Sequence, residues 1–170
     1  DNVKDLRRDP LVRFQDKFYV LIALVAGLIF PAVVGYFAMG GMVGALAGFL
    51  VVGALRVVLV QQSTFFINSL CHCVGNQPYS TRCSARDSWI MALVTYGEGY
   101  HNYHHEFQHD YRNGVKPWNF DPTKWTIMLL HKLGLVSNLR RVPTSKIVAA
   151  EMKEARRKAE ARLAELALSL

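Results

Sequence analysis

The chain has 170 residues, about one domain by length, and combines a formal net charge of +7 with a hydrophobic share of 51%. A soluble domain of this size rarely carries both, because too little chain is available to bury so much apolar surface. Three cysteines (Cys71, Cys73 and Cys83) rule out a disulfide framework.

Residues 1–17 carry mixed charge and read as an interfacial segment. From Tyr19 to Val60 the only charged residue is Arg56. The run divides at Met39-Gly40-Gly41 into halves of roughly 20 residues, each about 30 Å long as a helix, which matches a bilayer's hydrocarbon core. The expectation is a tight transmembrane hairpin over residues 18–60. It is too long and too apolar for a signal peptide, and too large to be buried all round within this chain. Lys4, Arg7, Arg8, Arg13 and Lys17 precede it, so the positive-inside rule puts both its ends in the cytoplasm. Pro31 is expected to kink the first helix, while Gly40, Gly44 and Gly48 give the second a small-residue face. The basic charge then points to a membrane surface or an anionic substrate head, and not to nucleic acid, for which the chain has no motif.

Beyond the hairpin, residues 61–75 are expected to continue helically to a turn at Gly75-Asn76-Gln77-Pro78. Residues 86–109 read as one helix entered at Asp87, with Gly97 and Gly99 marking close packing or a kink. A loop over 110–122 leads to a short helix introduced by Asp121-Pro122 and closed near Gly134. After Pro143, residues Val148, Met152, Ala155, Ala159, Leu163, Leu166 and Leu170 form an apolar stripe at spacings of three and four. That spacing predicts an amphipathic helix docked on the body or on the membrane.

Half of the six histidines fall within the stretch HNYHHEF, residues 101–107. On a helix His101, His104 and His105 are related as i, i+3 and i+4 and share a face, which suits a metal site because neutral imidazole is the commonest side-chain ligand. Upstream, Asn68 and His72 stand at i and i+4. Cys71-His72-Cys73 makes no zinc site, since successive helical residues diverge and no CxxC is present.

These constellations sit in a longer pattern. DPLVRFQDKFY, INSLCH, QPYS, ARDSW, GEGYHNYHHEF, DYRNG and FDPTKW occur in order over residues 9 to about 143. The pattern resembles the C-terminal half of the membrane-bound fatty acyl desaturases of the delta-9 acyl-CoA (stearoyl-CoA) type. The resemblance implies an all-α membrane protein: a transmembrane helical hairpin plus a cytosolic helical histidine-box domain. It implies two iron ions as cofactors, O2 as co-substrate, a fatty acyl-CoA or acyl-lipid substrate, and an external electron donor such as cytochrome b5 or ferredoxin. His72, His101, His104 and His105 would be direct metal ligands, with Asn68 holding a water on one iron. Beside them, Glu98 is expected to accept from a ligating imidazole, and His109 continues the stripe of His101 and His105. Phe65, Phe66, Tyr79, Trp89 and Tyr100 are expected along an acyl tunnel, and His131 in ordinary packing.

The family's upstream clusters, HxxxxH and HxxHH, do not occur in these residues. The chain is therefore expected to be the C-terminal portion of such an enzyme and inactive alone. Its parts would be the interfacial segment 1–17, the hairpin 18–60, a metal-binding part 61–143 and a charged amphipathic helix 144–170. A related membrane hydroxylase, or a non-catalytic membrane fragment that keeps the histidines, are the competing readings.

Overall fold

A computed structural model of the chain describes residues 3, 4 and 6–169. Asp1, Asn2 and Asp5 of the interfacial segment and Leu170 of the apolar stripe lie outside the described residues. Among those described the regular elements are all helices, and extended pairing is limited to isolated bridges joining Asp87 to Asn76 and to Tyr100. The chain falls into two compact units, residues 1–62 and 63–170.

In the first unit α1 (Pro10–Lys17) begins at Asp9, whose carboxylate accepts the Leu11 N–H at 2.8 Å. Two long helices follow, α2 (Tyr19–Met39) and α3 (Gly41–His72), both long and apolar enough to cross a membrane. Only 17% of the most apolar window of each is buried, and Phe37, Met42 and Val43 point outward. A core helix of a soluble protein would be mostly covered, so these helices present a surface suited to lipid. The turn between them uses Gly40 and Gly41, both at positive φ. Below it the backbones touch: a Cβ on Gly44 would stand 2.2 Å from the Gly35 carbonyl oxygen, and one on Gly48 2.2 Å from that of Pro31. Gly44 and Gly48 of the small-residue face expected on the second helix are thus at the contact, while Gly40 lies in the turn.

Pro31 acts in a more specific way than a simple kink. Proline has no N–H to offer the carbonyl four residues earlier, that of Gly27, and its ring crowds it. The helix widens into a π turn over Val25–Ile29, and Arg56 of α3 donates Nη2 to the freed Gly27 oxygen at 3.4 Å. Arg56 Nε also donates to Val52 O at 3.1 Å, so the one charge in the apolar run is engaged with backbone.

In the second unit several sequence expectations are corrected. The regular part of α3 ends at Asn68; Ser69 leaves helical geometry and Leu70–His72 form a 3₁₀ turn, so Asn68 and His72 do not share one helical face. Residues 86–109 form two short helices, α4 (Trp89–Val94) and α5 (His101–Glu106), and no continuous helix. The break lies at Tyr96 (φ 57°) and Gly97 (φ 103°), conformations outside the right-handed helix. Ser88, not Asp87, caps α4, accepting the Met91 N–H at 3.3 Å. Since α5 stops at Glu106, His109 lies exposed in the following turn and does not continue the stripe of His101 and His105.

The short helix α6 (Pro122–Lys132) starts where expected, with Asp121 accepting the Lys124 N–H, and ends before Gly134 at positive φ. The last helix, α7 (Thr144–Leu168), docks by a face other than its apolar stripe. Its buried residues are Ile147 and Glu154, while Val148, Met152, Leu163 and Leu166 of the apolar stripe are exposed. The surface it meets explains this: loop 77–82 offers carbonyls and hydroxyls. Glu154 accepts from Thr81 Oγ1 at 3.4 Å and from Arg157, and Lys158 Nζ donates to the Gln77 carbonyl.

Candidate metal centre

Backbone hydrogen bonds hold the histidine-bearing segments through the strap Ser84–Ser88. Arg86 N donates to Cys71 O (2.8 Å) beside His72, and His101 N donates to Arg86 O (3.2 Å). Asp87 and Asn76 exchange N–H and carbonyl on the near side, at 2.7 and 3.0 Å. Thus one extended segment ties the 3₁₀ turn of His72 to the start of α5.

The orientation of α5 is set by groups that the histidine pattern does not reveal. Asp87 Oδ1 accepts the N–H groups of Asn102 (2.7 Å) and Tyr103 (3.0 Å), two of the donors that a helix start leaves unpaired. Burial pushes the Asp87 carboxyl up to about 7, against the opposite pull of those two N–H groups. Asn102 has no solvent exposure. Its Oδ1 accepts from Tyr79 N and Ser80 N, and its Nδ2 donates to Ser80 O and Ala85 O, which uses the full capacity of a side-chain amide. Tyr103 donates its hydroxyl to Asp110 Oδ2 at 2.8 Å, and Arg112 grips the same carboxylate with Nε and Nη2 at 2.9 and 2.7 Å. Asn and Tyr in HNYHH therefore face inward as anchors, which leaves the histidines on the other side.

Glycines make the approach possible. A Cβ on Gly99 would lie 2.0 Å from Ala92 N, and one on Gly97 2.9 Å from Asp121 Cα. Turned by this break, Glu98 accepts from Asn113 Nδ2 at 2.8 Å. The partner seen for Glu98 is thus Asn113 and not an imidazole. Asp121, fully buried, completes the support by accepting the N–H groups of Asn113 and Gly114.

Three of the expected ligands converge. The ligand atoms of His72, His101 and His105 lie within 4.8 Å of one another, with His101 Nε2 3.1 Å from His72 Nε2 and 3.2 Å from His105 Nε2. His104 stands outside this set, its ring nearly parallel to that of His101 with centroids 5.9 Å apart. Asn68 is exposed at the end of the regular part of α3. His131 is exposed, with Nδ1 2.8 Å from Val136 O. Of the expected tunnel aromatics, Tyr79, Trp89 and Tyr100 line a cleft of about 270 Å³ that also touches Asp87, whereas Phe65 and Phe66 do not.

The donor set fits a transition-metal ion. Nitrogens bound to one ion at about 2.1 Å with a tetrahedral angle between them sit roughly 3.4 Å apart, close to the spacings seen. Burial holds the His101 imidazole down to about 4, with His105, His72 and His104 adding to the effect, so the ring is neutral near pH 7 and one of its nitrogens keeps a free lone pair. His105 is shifted the same way, again chiefly by burial. His101 Nδ1 is buried without a hydrogen-bond partner, so the ring's polar engagement runs through Nε2 toward the other two. Imidazole donors suit zinc, copper, iron and nickel alike.

A family model for fatty acid desaturases matches residues 2–131, which take in both hairpin helices and all six histidines, His131 being the last residue matched. The chain belongs to the fatty acid desaturase family. Among desaturases it is 41% identical over 161 residues to acyl-CoA desaturase 1 of Saccharomyces cerevisiae, covering 92% of this chain and 30% of that protein. It is 34% identical to stearoyl-CoA desaturase 5 of Bos taurus, over 87% of this chain and 44% of that one. With the sn-1 stearoyl-lipid 9-desaturase of Anabaena variabilis it shares 33% identity over 81% of this chain and 47% of the relative. The chain thus spans between about a third and a half of the length of these desaturases.

Proposed function

We propose that this chain is the C-terminal, histidine-bearing part of an O2-dependent di-iron desaturase that introduces a cis double bond, at the delta-9 position, into a fatty acyl-CoA or acyl-lipid. The observation that carries the reading is the convergence of His72, His101 and His105 through their Nε2 atoms, inside a chain of the desaturase family. His72, His101, His104 and His105 would hold iron, and Asn68 a water on it; His104 and Asn68 would do so together with ligands from the remainder of the protein. Iron with O2 supplies the oxidant that an unactivated methylene requires, because no side-chain acid or base can remove hydrogen from it.

What the chain's own residues contribute is placement. Asp87 and Asn102 hold α5 against the strap, so the imidazoles are presented already oriented. The basic residues before α2 support a hairpin whose two ends face the cytoplasm, with residues 61–143 as the metal-binding part on that side. An external donor, cytochrome b5 or a ferredoxin, would supply electrons there.

The test uses the complete parent protein, reconstituted with a reductase and cytochrome b5 and given stearoyl-CoA under O2. Oleoyl product by mass spectrometry, with two irons per polypeptide by elemental analysis, is the expected result. A hydroxylated product would assign the chain to a membrane hydroxylase instead. Bound iron without turnover on acyl-CoA or acyl-lipid would reject the catalytic reading.

A further inference from the structure

The three converging rings differ on their far sides. His72 Nδ1 lies 2.9 Å from the hydroxyl oxygen of Ser84, while His101 Nδ1 is buried without a partner. Ser84 opens the strap that joins the two histidine-bearing segments. The residues around it are pinned: Ala85 is fully buried and its carbonyl accepts from Asn102 Nδ2, and Arg86 N donates to Cys71 O. The hydroxyl is therefore carried on a fixed backbone, one residue before the carbonyl that the buried Asn102 amide holds.

We propose that Ser84 is a positioning residue for His72. With Nδ1–H donating to Ser84 Oγ, the imidazole is locked in the tautomer whose Nε2 lone pair faces His101 and His105. The hydrogen bond also blocks rotation of the ring, which would carry Nε2 away from the set. His72 needs such a guide more than the others, because it stands on a 3₁₀ turn after the helix has broken at Ser69, whereas His101 and His105 ride on α5. A partner on the second ring nitrogen raises the ligand's basicity and fixes its direction, and loss of one commonly weakens metal binding about 10- to 100-fold. The inference rests on the metal site proposed above.

The experiment titrates the complete parent protein, stripped of metal, in lipid nanodiscs with Co²⁺, followed by visible absorption, in the wild type, S84A, S84T and H101A. Ser84 is exposed, so both substitutions at it leave the packing intact. Expected are binding by the wild type, affinity about 10- to 100-fold weaker in S84A, recovery in S84T, which keeps the hydroxyl, and loss in H101A. Equal affinity in S84A and wild type overturns the role of Ser84 while leaving the site standing. So does a loss in S84T as large as in S84A, which makes the effect one of shape. A wild type that takes up no cobalt, or one that H101A matches, removes the metal site itself and the inference with it.

Discussion

His72 Nε2 and His101 Nε2 lie 3.1 Å apart although 29 residues separate them in the chain. One hydrogen bond can join two neutral imidazoles, but His101 Nε2 faces His105 Nε2 as well, at 3.2 Å. A cation beside His101 Nε2 would take its lone pair in place of either contact. In the complete parent protein His101→Ala and His72→Ala should each lower iron content and abolish turnover. His104→Ala should do the same through the remaining part of the site, whereas His131→Ala should be mild. Iron per polypeptide and product formation check this series, and full activity after His104→Ala would sink that assignment.

Asn102 should prove as sensitive as the ligands while binding no metal. Truncation to Ala strands two N–H groups and two carbonyls in a region without solvent, each costing about 1–3 kcal/mol, so a total loss of at least roughly 3 kcal/mol is expected. Asn102→Asp should also destabilise, because a carboxylate oxygen would then face the Ser80 and Ala85 carbonyls. Thermal unfolding in detergent measures both; a shift within error for Asn102→Ala would show that water replaces the amide.

The turn before α5 requires glycine for two separate reasons. Gly99→Ala puts a Cβ into the backbone of Ala92, and Gly97→Ala adds both an overlap with Asp121 and a side chain at φ 103°. Strain of that backbone kind costs on the order of 1–3 kcal/mol before the overlap is counted. Both variants should lose folded protein in size-exclusion chromatography. Gly134→Ala, with no atom within 4 Å of the added methyl, should pay only the positive-φ penalty and stay monodisperse.

Asp110 predicts an acid limb of stability. Burial alone would raise its carboxyl, but Arg112, the N–H groups of Val142 and Arg112, and the Tyr103 hydroxyl outweigh burial and hold it down to about 2, from an ordinary 3.8. The folded-state value lies below the unfolded one, so the stabilisation is complete above about pH 4 and is lost as pH falls toward 2, amounting to roughly 2 kcal/mol. Unfolding midpoints between pH 6 and 2 should fall over that window in the wild type. In Asp110→Asn the start is lower and this component is flat; an unchanged acid limb in the variant would assign the limb to other carboxylates.

Much of this protein is written in short-range patterns. Two apolar runs separated by Gly40-Gly41 define two bilayer-length helices, because helix length and transfer free energy depend only on local composition. Asp121-Pro122 starts α6 and Gly134 ends it through backbone chemistry within a few residues. The histidines announce a metal-binding chemistry because imidazoles three and four apart are conspicuous on any helix.

Tertiary structure decided how those histidines are used. Gly97 and Gly99 forced a break where periodicity favoured one helix, since a turn packed against Ala92 and Asp121 is favoured by contacts far along the chain. That break directed Glu98 to Asn113 and left His109 outside α5. The identity of the strap as the link between His72 and His101, and of Ser84, Asp87 and Asn102 as its working residues, comes from hydrogen bonds spanning up to 23 residues, which no local pattern records. The same holds for α7: its apolar stripe is legible in the sequence, but the helix docks by Glu154 and Lys158, because the face it meets is a polar loop. Local composition determines which segments become helices; the partner surface determines which side of each helix is used.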